Sequence, residues 1–455
     1  MGWLMVDAEC RKTWVRHKME AVPCFAVKMT ILDRAGQGSG RYRMRLLSRR
    51  PELMLFLGVL TLYAALTVLA DRPDMIWDEG RYRWYAGNLA QGFYNTPDKP
   101  DIINGPGYPL VLAPLISLGA PSIVLRGMNA VFMALAAWFS FRSVLPYAGR
   151  KWALGIALVT ALHPSVLRVA PRLMTEPLTL ACVAGFAWAF TAALRSEKWS
   201  WRLLLAAAFA FGWLTLTRVF FGNVLMAAAV ILAGLVIFQR HRERLLRALM
   251  VLLMAFGLCM PWLAYTHSRT GEWLCWSTNG GELLYWATST KPGENGHWFS
   301  EEESQTLPEL VANGHRDFYK AHYYLPVLKR EAAFKARAMQ NIRENPAGVL
   351  WNWFCNQSRL LFGFPRSHLP VEWGSWLLLG INGVLVVWLA AALWQAWRKR
   401  APVPAEFLVL ALLTMIYMGG CGLLPGLPRY TVVIWPWAGL AGAGLTAMVR
   451  RSVVS

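Results

Sequence analysis

The sequence predicts a mainly α-helical, polytopic membrane protein: a bundle of about ten transmembrane helices with a small extracytoplasmic domain. Three observations predict it. Of 455 residues, 56% are hydrophobic and the mean hydropathy is +0.34, more apolar sequence than one soluble core can use. The apolar residues arrive in repeated stretches of ~17–25, the length that crosses a bilayer core of ~30 Å at 1.5 Å per residue. The cations are also one-sided. Nearly all of the net charge of +20 lies in the first fifty residues and in the connections around Arg142–Lys151, Arg195–Arg202, Arg240–Arg247, Arg398–Glu406 and Arg450–Arg451. Span alternation puts those connections on one side, so the positive-inside rule accounts for the basicity and nucleic-acid binding is excluded as its cause. Both termini then fall in the cytoplasm.

In chain order, residues 1–50 form a basic cytoplasmic leader without the apolar core and small-residue cleavage site of a secretory signal. Met29 and Met44 follow in frame, so part of this leader can be an over-extended start. Leu53–Ala70 carries no charge and reads as an uncleaved first span. The first outer loop, residues 71–120, begins with a short amphipathic helix in which Tyr82, Tyr85, Ala86, Leu89 and Phe93 form one stripe. Asp78 continues that stripe by one turn and by two, whereas Glu79 is spaced to pair with Arg83. The turn Asn104-Gly105-Pro106-Gly107 leads to an apolar stretch, Tyr108–Leu118, too short to span and suited to the membrane interface. Six further spans, Pro121–Leu145, Trp152–Leu167, Thr175–Leu194, Leu203–Thr217, Gly222–Phe238 and Arg247–Leu263, complete an N-terminal membrane module over residues 51–263. Residues 264–373 are polar and mixed, with a helical pattern over Asp317–Glu344, and read as a small extracytoplasmic domain. Gly374–Trp397, Phe407–Leu424 and Thr431–Val449 form the C-terminal membrane module, residues 374–455.

Chemistry concentrates at the outer span ends. Asp78 and Glu79 lie within a few residues of the membrane surface, where two acids at a helix start either cap the helix or serve a site. Glu176, at the outer end of the fourth span, is costly there unless it faces a partner or a polar cavity, although a Thr-Glu-Pro helix start has the same spacing. Arg168, Arg172, Arg218, Arg359, Arg366 and Arg429 stand on the side the topology rule disfavours for cations. Any one of them can be a snorkelling side chain, but together with the acids they suit a phosphate-handling cavity. Trp77 and Trp84 fit an interfacial belt or a sugar site. The sequence holds no Walker loop, paired-histidine zinc helix or nucleophile elbow. No motif names a cofactor, and clustered acids can take a divalent cation. His163, next to Pro164, reads as a polar span-end histidine before it reads as a member of an acidic metal site. Cys275 and Cys355, both in the large outer segment, are either a disulfide or two separate thiols.

Several short motifs occur in order over most of Leu53–Val449. They are Asp78-Glu79-Gly80-Arg81-Tyr82, Gly105-Pro106-Gly107-Tyr108-Pro109, Arg126 with Asn129, Thr175-Glu176-Pro177, Thr217-Arg218, Ser277-Thr278-Asn279-Gly280-Gly281, and Arg429-Tyr430 before Pro436. The set resembles the C-type (GT-C) membrane glycosyltransferases, in the branch of the dolichyl-phosphate-mannose protein mannosyltransferases and the bacterial lipid A aminoarabinose transferase. That resemblance implies a polyprenyl-phosphate sugar donor and an acid of the first outer loop acting on the acceptor as base or orienting group. It places this role on Asp78, with Glu79 as the alternative, and makes Glu176 the second acid. Tyr82, Tyr108, Arg126, Arg172, Arg218, Arg429 and Tyr430 become expected substrate contacts. Such a chain works among membrane lipids, in a plasma membrane that the Ala-, Arg- and Trp-rich usage fits to a bacterial inner membrane, on a lipid, glycan or protein acceptor. Two departures bear on that acceptor: the outer domain is small with no MIR-like carbohydrate module, and the spans are fewer than in many relatives.

The chemistry the residues suit is a single displacement that inverts the anomeric carbon, with one base for the acceptor hydroxyl and cations for the departing phosphate. A transporter or flippase of lipid-linked sugars is the alternative, but such proteins carry internal repeats and polar groups at the bilayer midplane. An envelope scaffold has no positive signal beyond the outer domain.

Overall fold

Gly149, at φ 78° and ψ 178°, folds the longest helical run of the protein back on itself. In a computed structural model, which describes residues 51–96, 101–238, 242–368 and 370–454, this run begins the topology that positions everything else. The chain forms two compact units, Met1–Leu55 and Phe56–Ser455. The basic leader lies outside the described residues.

Helix α1 is Pro51–Leu69. The first loop carries α2 (Glu79–Ala90) and α3 (Gly107–Ser117). Then come α4 (Ser122–Leu162), which contains the Gly149 bend, and α5 (Pro164–Val169). Next are α6 (Glu176–Arg195), α7 (Trp201–Thr217), α8 (Phe220–Phe238) and α9 (Arg242–Thr270). The second long segment between apolar helices, expected to lie outside, holds six shorter helices: α10 (Gly280–Thr288), α11 (Glu301–Thr306), α12 (Pro308–Ala312), α13 (His315–His322), α14 (Val327–Glu344) and α15 (Pro346–Phe362). The chain closes with α16 (Trp373–Arg398), α17 (Ala405–Cys421), α18 (Pro428–Val432) and α19 (Trp435–Val454). No strand occurs among the described residues.

Long-range hydrogen bonds sort the helix ends into two layers. At one end, Asn129 Nδ2 donates to the carbonyls of Ala170 (3.1 Å) and Arg172 (2.5 Å), which lie slightly farther after Gly149 than Asn129 lies before it. The two halves of the 122–169 run are therefore antiparallel passes. At the other end Tyr147 donates to Glu406 (2.6 Å), Arg451 donates to the Tyr147 carbonyl (3.1 Å), and Arg195 covers the Tyr147 ring at 4.8 Å. Helix α6 joins the layers through twenty residues, ~30 Å of rise. The basic connections expected on one side gather at the Tyr147 end.

Among the described residues six helices are long and apolar enough to cross a membrane, counting the 122–169 run as one. That run is two passes, and α7, α17 and α19 also link the layers, which restores the expected ten. Helices α7 and α17 have only 17 residues each, so length alone undercounts them. Tyr108–Leu118 forms α3, a short apolar helix with Pro114 inside it, as its length required.

The second outer segment has an aromatic core of Tyr285, Trp286, Phe299, Leu310, Tyr319 and Phe334. Its polar centre is a chain of buried groups in which His315 bridges the Tyr285 hydroxyl (2.6 Å) and Glu294 (2.7 Å). Cys275 and Cys355 are free thiols, so the disulfide alternative is not realised. Thr278 ties this segment to the first loop: its N–H donates to the Ile102 carbonyl (2.8 Å) and its hydroxyl accepts from the Ile102 N–H (2.9 Å).

His297 gives this segment a pH dependence. Burial, with Arg359 and Arg366 adding to it, pushes the imidazole down from its ordinary 6.5 to about 3. A depressed folded value means that protonation favours the unfolded chain, so His297 contributes fully above pH 6.5 and progressively less as the pH falls towards about 3. Denaturant midpoints measured from pH 7 to pH 4 are expected to decline, and His297→Leu is expected to flatten the decline.

Candidate functional site

The two neighbouring carboxylates of the first loop occupy opposite environments. Glu79 is 0% exposed. Its Oε1 accepts from Arg126 Nε (3.0 Å) and the Leu173 N–H (2.8 Å), and its Oε2 from Arg72 (3.1 Å) and the Ile76 N–H (3.1 Å). Burial alone raises a carboxyl pKa, but two backbone donors and the two guanidiniums outweigh it and hold Glu79 below the ordinary carboxylate value. Arg126 is equally committed, reaching Asp71 (3.0 Å) and the carbonyls of Arg72 (2.8 Å) and Asp74 (3.3 Å) besides Glu79. The pairing of Glu79 with Arg83 expected from helical spacing does not form; Arg83 donates to Ser122 instead (3.0 Å). A carboxylate on the buried side of the helix start gives Arg126 its buried counter-charge, which a surface pair with Arg83 would not.

Asp78 sits at the N-cap of α2 but makes no capping hydrogen bond, so the capping account of this residue fails. Its side chain is 27% exposed, with Oδ1 3.1 Å from Arg81 and Oδ2 3.7 Å from Arg429. Arg429 also stands 3.5 Å from Glu176, which Arg218 holds at 2.6 Å. Asp78, Glu176 and the three guanidiniums therefore form one cluster at the end of the bundle, with one positive charge in excess. Glu176 is 2% exposed, and its Oε2 has no hydrogen-bond partner among the described residues. The Nε atoms of Arg218 and Arg429 likewise lack one.

Aromatic side chains wall the cluster. The guanidiniums of Arg218 and Arg429 share the ring of Tyr430, at 5.1 and 5.5 Å from its centroid. Tyr82 stands edge-on to Tyr108 at 5.4 Å, and Tyr108 donates to Asn129 (3.0 Å). Arg172 lies apart from the carboxylates, stacked over Trp77 at 3.9 Å, with Arg168 on the same ring at 5.5 Å. The remaining two outer arginines do not join: Arg359 is locked onto Asn356 and the carbonyls of Asn295 and Pro365, and Arg366 pairs with Glu372. The six-arginine cavity thus reduces to Arg218 and Arg429 at the acids, with Arg81 added. Arg81 was legible as the i+3 partner of Asp78. Asn104, which contacts both Arg81 (3.4 Å) and the Tyr82 hydroxyl (3.2 Å), had no signal beyond its turn.

The turn at 105–107 is pressed against the end of α7. A Cβ on Gly105 would lie 2.0 Å from the Leu216 carbonyl oxygen, and one on Gly107 2.5 Å from the Thr217 hydroxyl. Gly105→Ala is expected to cost about 1–3 kcal/mol in stability, since backbone cannot move aside as a side-chain tip can. Gly80→Ala, which meets open space on a helix, serves as the neutral control in the same thermal melts.

Among the described residues no three His, Cys, Asp or Glu side chains meet in a way that would hold a metal, and Asp78 and Glu176 have Arg429 between them. His163 is bonded to Asn382 (2.8 Å), as a span-end histidine rather than a ligand.

Residues 98–265 match the family described as dolichyl-phosphate-mannose-protein mannosyltransferase, which bears out the resemblance read from the motifs. The match takes in Gly105, Arg126, Glu176 and Arg218 and stops short of Asp78 and Arg429. No curated protein sequence matches the chain at a significant level. Several solved structures are similar. One is ArnT from Cupriavidus metallidurans bound to undecaprenyl phosphate, at 16% identity and TM-score 0.40, covering 88% of this chain and 78% of that one. The apo state of the same ArnT gives 14% and 0.39, over 89% and 78%. The archaeal oligosaccharyltransferase AglB from Archaeoglobus fulgidus, in complex with an inhibitory peptide and a dolichol-phosphate, gives 14% and 0.44 over 88% of this chain and 50% of AglB. Likenesses at this level carry nothing about chemistry.

Proposed function

We propose that the protein is an integral-membrane glycosyltransferase that moves a sugar from a polyprenyl-phosphate donor to an acceptor at the outer face of the membrane. The observation that carries this reading is the convergence of Arg218 and Arg429 on Glu176, with Asp78 at the edge of the same cluster and still open to solvent. A sugar on polyprenyl phosphate already has a good leaving group. Its displacement needs a base for the acceptor hydroxyl and cations for the charge that develops on the departing phosphate.

Asp78 is the base in this reading: an acceptor can reach it, its carboxylate is not spent on capping, and Arg81 orients it. Arg218 and Arg429 grip the phosphate, Arg218 through an Nε–H that has no hydrogen-bond partner, and Glu176 holds the two guanidiniums in place. Tyr82, Tyr108 and Tyr430 bound the sugar subsite, and Arg172 on Trp77 lies along the approach. Glu79 and Arg126, expected among the site residues, act through position: they fix the loop that carries Asp78. One base and one leaving group give a single displacement and inversion at the anomeric carbon. The family match over residues 98–265 supports the donor class, the cations at the Tyr147 end support cytoplasmic termini and an outward-facing site, and the Ala-, Arg- and Trp-rich usage fits a bacterial inner membrane.

The test is reconstitution of the purified chain with a labelled polyprenyl-phosphate sugar and lipid, glycan and protein acceptors, with the product anomer read by NMR. Transfer with inversion is expected. Protein-dependent flipping of the lipid-linked sugar without transfer would move the assignment to a transporter.

A further inference from the structure

We propose that a groove at the basic end of the bundle binds an anionic phospholipid of the adjoining leaflet. It is the cavity of about 730 Å³ between the last turns of α16, the following connection and α19, lined by Leu393, Ala396, Trp397, Arg398, Arg400, Ala401, Val403 and Leu445. The 26 residues of α16 separate it from the acidic cluster by most of a bilayer, ~39 Å of helix, so it is independent of the transferase reading.

Its chemistry divides in two. The floor is Ala396 and Leu445, both buried, and the walls are Leu393, Trp397 and Val403, which α16 and its connection leave uncovered; Trp397 is 69% exposed. Helix α16 as a whole turns outward, with only 11% of its apolar window buried, so this wall faces lipid chains. The mouth is cationic, because Arg398 and Arg400 both line it. Apolar walls with two guanidiniums at the level of a leaflet surface suit acyl chains below a phosphate, and the charge selects an anionic headgroup over a zwitterionic one.

The backbone supports this use of Arg400. Helix α16 ends with the Ala401 N–H bonded to the Ala396 carbonyl (2.9 Å) and the Arg400 N–H to the Trp397 carbonyl (3.0 Å). This is the double closure that places the residue after the cap in the left-handed region, and Arg400 is there at φ 48°. Glycine takes that conformation without penalty, whereas an arginine is strained in it. The strain is not repaid by the turn, which glycine would close as well; the guanidinium at the mouth of the groove is what the substitution gains.

The left-handed position also supplies the test, because Arg400→Gly removes the charge while favouring the fold. The full chain, delipidated in detergent, is incubated with equimolar dioleoyl phosphatidylglycerol and dioleoyl phosphatidylcholine, and retained lipid is measured by native mass spectrometry. Wild type is expected to prefer phosphatidylglycerol. Arg400→Gly is expected to lower that preference roughly fivefold with Tm unchanged or raised, and Arg398→Gln to lower it again by roughly the same factor. Leu445→Trp, which fills the floor, is expected to reduce retention of both lipids. Equal retention of the two headgroups by wild type, or an unaltered preference in Arg398→Gln/Arg400→Gly, would overturn the proposal. Displacement of the lipid by inorganic phosphate at matched concentration would do the same, since the site would then recognise a free anion.

Discussion

Replacing Asp78 with asparagine is expected to lower the rate of sugar transfer by about 10²–10⁴-fold while leaving the protein folded. Asparagine keeps the shape and can still accept from Arg81, so the part-exposed ion pairs at 3.1 and 3.7 Å lose little, within about 1 kcal/mol. What it loses is the ability to take a proton from an acceptor hydroxyl. Because Arg218, Arg429 and Glu176 are untouched, retention of the polyprenyl-phosphate donor should be close to wild type, and the loss should fall on kcat rather than KM. The measurement is initial transfer rate against donor concentration in proteoliposomes. Turnover undiminished in Asp78→Asn would remove Asp78 from the chemistry.

The adjacent substitution is expected to behave in the opposite way. Glu79→Gln should destabilise the protein by about 3–5 kcal/mol, because it breaks one side of a buried charge cluster and leaves Arg126 with only the part-exposed Asp71 as its carboxylate partner. The geometry makes even an isosteric change costly. Each oxygen of Glu79 accepts from two donors, one guanidinium and one backbone N–H. Whichever way a glutamine amide is turned, its NH₂ must therefore face two donors. The pH dependence has a definite sign. The folded value of Glu79 is lowered from its ordinary 4.5, so its contribution is present above that pH and is lost as the pH falls below it. A wild-type melt that loses stability below pH 4.5, set beside a Glu79→Gln melt that is already low and flatter there, checks this. If Glu79→Gln melts like wild type and loses activity instead, the two acids have been assigned the wrong way round.

Arg126 shows where motif reasoning is least secure. Its position at the start of a span, in family order, made it an expected substrate contact. In the structure it is 2% exposed, and every one of its hydrogen bonds is internal, to Glu79, Asp71 and the carbonyls of Arg72 and Asp74. Arg359 is a parallel case among the outward arginines. A sequence position constrains the depth of an arginine in the membrane but not which carbonyls the rest of the chain will bring to it. Arg218 and Arg429, by contrast, retain unpartnered N–H groups beside Glu176, which is the feature a phosphate site needs.

By itself the sequence determined the helices, their approximate number, the loops between them and the end of the bundle at which the cations gather. Those features are local: a run of apolar side chains must be helical in lipid, its length must match the bilayer, and charges near its ends are sorted by the membrane. The phase of α2 was local too, and Tyr82, Tyr85 and Ala86 are buried as the stripe required. Only the tertiary structure decided that Glu79 is an anchor and Asp78 the open carboxylate. Arg126 is 47 positions from Glu79 and the Leu173 N–H is 94, so no spacing on one helix could reveal them. Likewise Glu176 meets Arg218 because α6 and α7 run antiparallel and the start of one lies beside the end of the other, but Arg429 comes to both acids from more than 200 positions further along the chain. Hydrophobic periodicity specifies which face of a helix is buried. Which charge it is buried against depends on long-range packing, and here that packing separates two neighbouring acids into different roles.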